Sequence, residues 1–448
     1  MTVRERACAA LLAAVLPAAA SALSPEEARQ LGTTLTALGA ERAGSADGTI
    51  PPYTGGLTTP PPGFVAGSGS RPDPFATERP LLSIDAASAA RHADRLSEGA
   101  KALLARYPGF RMDVYPTHRT AAFPAFVTEQ TVRAATSAHT THGGVSLAGV
   151  HAAYPFPIPK TGNEAMWNHL VRFNGRCLHK RISAYRMEAS GRLTHASTAR
   201  VVEDYPYWTE RTASPNVYFR LRIQYEAPAR RAGEGFILVD PIDYLERGRR
   251  SWQYLPGQRR VRLAPDLAYD TPNAATSGAQ TFDDALLFNG AMDRYDFTLV
   301  GKKAIYVPYN VYRAAYQARP EELFRKHFVN PDLFRWELHR VWVVDARLKP
   351  GKRHVYARRV FYLDEDTWAI LTSDQYDARG QLWRVGIAFM APSYDVPAMW
   401  ADAFLHYDLA TGGYGVNSWP GQDGWIRQGA CPGDAEWSPD ALAGSGLR

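Results

Sequence analysis

Between Asn216 and Met390 the apolar residues recur with a period of two, in short runs broken by turn formers, and no other feature restricts the fold as much. The runs cover 217–225, 235–239, 251–255, 260–263, 295–300, 303–307, 339–347, 354–364, 368–375 and 382–390. Between them stand Pro256 and Gly257, Gly301 and Lys302, Lys349 to Lys352, Asp364 to Thr367, and Asp377 to Gly380. Connections this short join antiparallel neighbours, so the pattern predicts a large antiparallel meander.

The faces of those strands differ. In SWQYLPGQRRVRLAP (251–265), Trp252 and Tyr254 share one face, Val261 and Leu263 share one face of the next strand, and Gln253, Arg260 and Arg262 fall opposite. In HRVWVVDA (339–346) both alternating sets are apolar, Val341 and Val343 against Trp342 and Val344. Antiparallel strands that are apolar on both sides need cover on both sides. Helices supply one cover, and a second sheet, the same sheet curling over, or a hydrophobic ligand supplies the other. Aromatic residues make up 12% of the chain and concentrate on these strands. The candidate cavity lining is Trp252, Tyr254, Val261, Leu263, Trp342, Val344, Tyr356, Phe361, Tyr362, Trp368 and Trp383, a set that suits an apolar cleft with a wet rim and equally an ordinary core.

The N-terminus has a basic start, an apolar run from Ala7 to Ala20 and small residues at Ala20, Ser21 and Ala22, the pattern of a cleaved signal peptide over 1–22. Export to the periplasm is the expected localisation, and no later run approaches the roughly 18 apolar residues of a membrane span. After cleavage only Cys177 and Cys431 remain; they either pair as a disulfide in an oxidising compartment or stand as two buried thiols.

Ser24 to Glu27 form a capping box that predicts a helix to about Leu38, followed by an extended Pro/Gly-rich stretch; 23–160 is thus expected to pack on the main fold. Further helices are expected over 84–107, broken near Ser97, over 163–173, over 282–287, and from Pro320 to Trp336 with a break at Asn330. The curved sheet and its covering helices should occupy 161–410, leaving an irregular tail over 411–448.

No nucleophile elbow, dinucleotide or phosphate loop, His-Glu-x-x-His or EF-hand motif is present, so no catalytic residue, metal or cofactor is expected. His139 and His142 sit in a Ser/Thr/Gly-rich loop without a further ligand nearby. Asp364, Glu365 and Asp366 read as a solvated hairpin turn, as do Asp374 and Asp377, and His169 as a core histidine. The formal charge of +6 is spread along the chain without a reader motif, which argues against nucleic acid. Arg259 and Arg260 read either as solvated guards of a strand edge or as contacts to an anionic head group or membrane surface.

The segments at 37–57, 154–173, 252–272, 288–310 and 337–385, the last reading ELHRVWVVDARLKPGKRHVYARRVFYLDEDTWAILTSDQYDARGQLWRV, resemble an exported proteobacterial family of unknown function, family 1329, which is similar to outer-membrane lipoprotein-sorting proteins. The resemblance runs from about Leu23 to Leu409. It implies an α+β fold in which a strongly curved antiparallel sheet, an incomplete β-barrel of the lipoprotein-carrier kind, holds helices against its concave side. It also implies a neighbouring inner-membrane transporter of the resistance-nodulation-division type and an outer-membrane companion. The expected function is a non-enzymatic periplasmic carrier of a lipid or other hydrophobic molecule; the alternatives are an envelope hydrolase and a structural adaptor.

Overall fold

The computed structural model describes residues 23–209, 216–265, 267 and 269–445, so the expected signal peptide at 1–22 lies outside the described residues. In chain order the strands are β1 Leu82–Ile84, β2 Met112–Val114, β3 His139–Thr141, β4 Ser146–Ala148, β5 Cys177–Met187, β6 Leu193–Asp204, β7 Phe219–Ala227, β8 Gly235–Asp240 and β9 Arg250–Leu255. They continue as β10 Arg260–Leu263, β11 Tyr295–Pro308, β12 Trp336–Leu348, β13 Arg358–Asp364, β14 Ile370–Tyr376, β15 Leu382–Ser393, β16 Ala398–Asp408, β17 Gly413–Trp419 and β18 Trp425–Gln428. The α-helices are α1 Pro25–Ala28, α2 Glu98–Arg106, α3 Ala125–Ala134, α4 Gly162–Leu170, α5 Pro320–Leu323 and α6 Pro439–Ser445.

Sixteen strands form one sheet in the order β1-β2-β12-β13-β14-β15-β16-β17-β5-β6-β7-β8-β9-β10, with β11 beside β12 and β18 beside β5. Every pairing is antiparallel except one parallel bridge between Val114 and Trp336. The path ends at β1 and β10 without joining them, which leaves a curved, open sheet rather than a closed barrel.

Register defines two faces. On the inner face Arg359, Gln375 and Arg384 fall in one row, Phe361, Ser373, Gly386 and His406 in the next, and Val201, Ile223, Phe236 and Gln253 form a matching row over β6 to β9. Helix α4 and the 3-10 segment Phe282–Leu287 cover this face over β11 to β16: His169 on α4 reaches the Phe288 carbonyl at 3.0 Å, and the Phe288 ring packs against Phe297 and Phe361. Helix α2 lies on the outer face, where Gly99 meets Asp374 and Val385 so closely that a Cβ would have no room. Helix α6 also lies outside, Leu442 and Trp437 packing on Ile237, Val239 and Tyr254.

The tail expected to be irregular is the seam of the sheet. β17 pairs with β16 and β5, β18 pairs with β5, and Cys177 and Cys431 are disulfide-bonded with Cα atoms 5.4 Å apart. The expected hairpin at Gly301 and Lys302 is instead a β-bulge within the single strand β11, which stays paired with β12 along its length. The capping box at Ser24 forms, but helix stops at Ala28 rather than near Leu38, and the stretch expected to be helical from Pro320 keeps only α5 and the 3-10 turn Pro331–Leu333. The caps are local chemistry, whereas propagation needs an apolar face to bury, and Glu26, Arg29 and Gln30 offer none.

Candidate functional site

The inner face is filled over one half of the sheet and hollow over the other. Over β5 to β9 Leu267 and the chain 269–289 cross as a loop and 3-10 turns, leaving a cleft of about 170 Å³. Its floor is Ile182, Val201, Leu221, Ile223, Phe236 and Leu238, and its roof includes Leu267, Ala275, Phe282 and Leu286. Ile182, Leu221, Ile223 and Leu267 are half-buried, so apolar surface is left facing the opening. An apolar cavity of about 150 Å³ accommodates a benzene-sized ring, which places this cleft at the scale of a ring or a chain end.

Polar groups mark both ends of the cleft. At one end Lys180 and Tyr205 hold Glu203, and Arg249 forks onto Asp240 at 2.6 and 2.7 Å. At the other end Arg231 stacks 3.8 Å above the Tyr225 ring and donates to Glu234. Gln253 reaches in from β9, accepting from Arg262 at 3.0 Å.

The roof is pinned by buried charge. Thr281 and Asp284 form a capping box that starts the segment Phe282–Leu287 and points its two aspartates into the other half of the sheet. Asp283 meets Arg359 at 2.9 Å and His354 at 3.0 Å; Asp284 meets Arg359 at 3.0 Å and accepts from the Tyr356 hydroxyl at 2.8 Å. Burial works to raise both carboxyls, but Arg359 and His354 around Asp283, and His406, Arg359 and Arg384 around Asp284, hold both below the ordinary carboxylate range. Burial pulls His406 down to about 4 against the opposing attraction of Asp284.

A second buried network overturns the reading of Asp364 to Asp366 as a solvated turn. The three are 0%, 2% and 4% exposed. Arg119 forks onto Asp366 at 2.6 and 2.9 Å, and Lys302 and Arg340 meet Glu365 at 3.0 and 3.1 Å. These partners come from distant segments, which a turn motif does not announce. Burial and the neighbouring Asp366 push Asp364 up to about 7. Ligand atoms of His339, Asp364 and Asp366 lie within 4.8 Å of one another. Both Asp366 oxygens are taken by Arg119, however, and one Asp364 oxygen by the Tyr309 and Thr367 hydroxyls, so the set is an ion-pair network before it is a cation cage. Asp374 is buried too, pushed up to about 7 by burial against hydrogen bonds from Tyr362 and Gly99; Asp377 stays in an exposed turn, and His169 is a core histidine with both nitrogens engaged.

None of the residues expected to line the cavity borders this cleft. Trp252, Tyr254 and Val261 face outward and pack with α6, and Leu263 beside them is 60% exposed. The hairpin residue that does face the cleft is Gln253, placed on the wet side by sequence alternation. Val344 and Phe361 face inward but are sealed in the filled half, and Tyr356 belongs to the Asp284 network. Tyr362 donates to Asp374 on the outer face. Trp342 and Trp368 stack near the N-terminal segment, Trp368 donating to the Leu38 carbonyl, and Trp383 packs against Tyr356 and Arg384. Arg259 and Arg260 are exposed at the turn into the edge strand β10. The true lining came from β5 to β8, where the signal was alternation of Leu221 with Ile223 and of Phe236 with Leu238.

The architecture defines the molecule as a single open-sheet protein with a ligand-sized apolar cleft between sheet and cover. The chain belongs to the family described as protein of unknown function DUF1329, whose model matches residues 83–443. It is 40% identical over 439 residues to the uncharacterized protein PA3922 of Pseudomonas aeruginosa, covering 96% of this chain and 95% of that one. Among solved structures it is similar to a DUF1329 family protein from Desulfovibrio piger, at 16% identity and TM-score 0.42 over 62% of this chain and 95% of that one. It is likewise similar to a putative outer membrane lipoprotein-sorting protein domain from Vibrio parahaemolyticus, at 14% identity and TM-score 0.43 over 62% and 97%. No helix among the described residues is long and apolar enough to cross a membrane.

Proposed function

We propose that the protein is a non-enzymatic periplasmic binding protein that takes a small hydrophobic molecule, or one apolar end of a larger lipid, into the cleft over β5 to β9. The observation that carries this reading is the half-buried apolar floor of Ile182, Leu221 and Ile223, left open under a loop while Val344 and Phe361 on the filled half are buried. The Cys177–Cys431 disulfide supports an oxidising compartment.

In this reading the edge strand beside the cleft is the membrane-facing side. Arg259, Arg260 and Arg262 are exposed there with Leu263, and each arginine near an anionic bilayer contributes about 1 kcal/mol. The partner is an inner-membrane transporter of the resistance-nodulation-division type with an outer-membrane companion, as the family resemblance implies; co-purification from membranes checks that partnership separately from ligand binding.

Fluorescence titration with N-phenyl-1-naphthylamine, together with native mass spectrometry of gently purified protein, tests the binding reading. Saturable uptake that Ile223→Trp abolishes is expected. A folded protein that takes up no dye and carries no adduct overturns the proposal.

A further inference from the structure

The charged groups around the cleft are not equivalent. Glu203 has both Lys180 and Tyr205, and Arg249 has both oxygens of Asp240 and the Asn289 side chain. Arg231 is different. Its Nε and Nη2 both donate to the same oxygen of Glu234, at 3.1 and 2.9 Å, while Nη1 is shut off from solvent and has no hydrogen-bond partner. The residue as a whole is 9% exposed and its guanidinium is fixed over Tyr225, itself part of the lining. A buried donor left unmade is costly, and a charged one more so.

The turn that carries it adds charge. Between β7 and β8, residues 228–234 read PARRAGE, two arginines against one glutamate, a net +1. Arg230 is exposed and has no acidic partner among the described residues. Arginine presents its donors in a planar fork, so one guanidinium can serve Glu234 along one edge and a second oxyanion at Nη1. Apolar walls beside one unfilled cationic donor select a molecule with both features.

We propose that the ligand is an amphiphile with an oxyanion head, a carboxylate or phosphate, whose apolar part enters the cleft and whose head accepts from Arg231 Nη1. This rests on the binding reading above and adds the chemical class of the ligand. Glu234, held on the Nε and Nη2 edge, neutralises the same guanidinium and so weakens its pull on the head at Nη1.

Two dyes with one aromatic body separate the two ideas: 1-anilinonaphthalene-8-sulfonate carries an anionic group, and N-phenyl-1-naphthylamine is its neutral parent. The readout is the ratio of their dissociation constants in each variant of the full exported chain. Arg231→Gln should shift the ratio against the anionic dye by about 10-fold or more, the scale of a lost charged hydrogen bond, and leave the neutral dye within about 3-fold. Glu234→Gln, which frees the guanidinium, should tighten the anionic dye and not the neutral one, an outcome that damage to the fold does not produce. Dodecanoate should displace the anionic dye, and inorganic phosphate at the same concentration should not.

A ratio unchanged in both variants, with both dyes bound, overturns the oxyanion proposal and leaves the cleft reading intact. Displacement by phosphate alone overturns the amphiphile in favour of a free anion. Binding of neither dye removes the cleft reading and this inference with it.

Discussion

The two halves of the inner face are built from the same kind of strand and differ in what covers them. Over β11 to β16 the cover is α4 and the segment Phe282–Leu287, locked by Asp283 and Asp284 onto Arg359, Arg384 and His354, and the space between is filled by Phe288, Phe297 and Phe361. Over β5 to β9 the cover is a loop whose small and polar residues, Asn273, Ala274 and Ala275, cannot fill the concavity. A filled half thus adjoins a hollow one, and Phe282 and Leu286 on the shared segment link them. Buried charge fixes the geometry of the cover, and missing side-chain volume makes room for a ligand.

The largest effect should come from breaking the lock. Arg359→Ala leaves Asp283 and Asp284 buried with too little positive charge, a loss of about 3–5 kcal/mol in urea unfolding. Cys177→Ser with Cys431→Ser opens the seam between the halves. Its loop spans 254 residues, and removal of a native disulfide costs about 2–5 kcal/mol under oxidising conditions. An unfolding midpoint equal to that of the wild type would mean that strand pairing of β17 and β18 alone holds the seam.

Asp374 sharpens the comparison through pH. Its folded pKa, about 7, lies above the unfolded value of 3.8, so its contribution is present below pH 4 and is lost as pH rises through 7, at up to about 1.4 kcal/mol per pH unit. His406 works in the opposite sense: with its folded value near 4, below the ordinary 6.5, its contribution grows as pH rises from 4 to 6.5. Asp374→Asn keeps an acceptor for the Gly99 N–H and lets its amide donate to the Tyr362 hydroxyl, so it should shrink the falling limb to the share that buried Asp364 contributes, raising stability at pH 8 relative to wild type. Urea midpoints measured from pH 5 to pH 8 check this. The smallest effect on stability, under about 1 kcal/mol, should come from Ile223→Trp, because the new ring enters an existing space in the hollow half; the same change should abolish dye uptake.

Much of the strand pattern was legible, since β7 to β15 lie within about two to four residues of their expected positions. β5 and β6 were not, because the buried pair Lys180 and Glu203 interrupts the apolar alternation that identifies a strand. The tail was misread for a related reason: Gly412, Gly413 and Gly415 look like punctuation, yet Gly413 and Gly415 lie where a Cβ would strike the Met187 carbonyl or Ala279. Those glycines permit close pairing with strands more than 200 residues earlier in the chain, as in Tyr414 beside Met187.

By itself the sequence determined that this chain makes a large antiparallel sheet, because period two and short turns are properties of neighbouring residues. It also determined which residues share a face, as Trp252 and Tyr254 do opposite Gln253. Only the tertiary structure decided which face looks inward. Alternation carries no sign: the side that faces the cavity follows from the register of the whole sheet and from what α6 and the segment 269–289 cover. Whether an acidic turn such as Asp364 to Asp366 is solvated or buried was decided there too, because Arg119, Lys302 and Arg340 arrive from elsewhere in the chain.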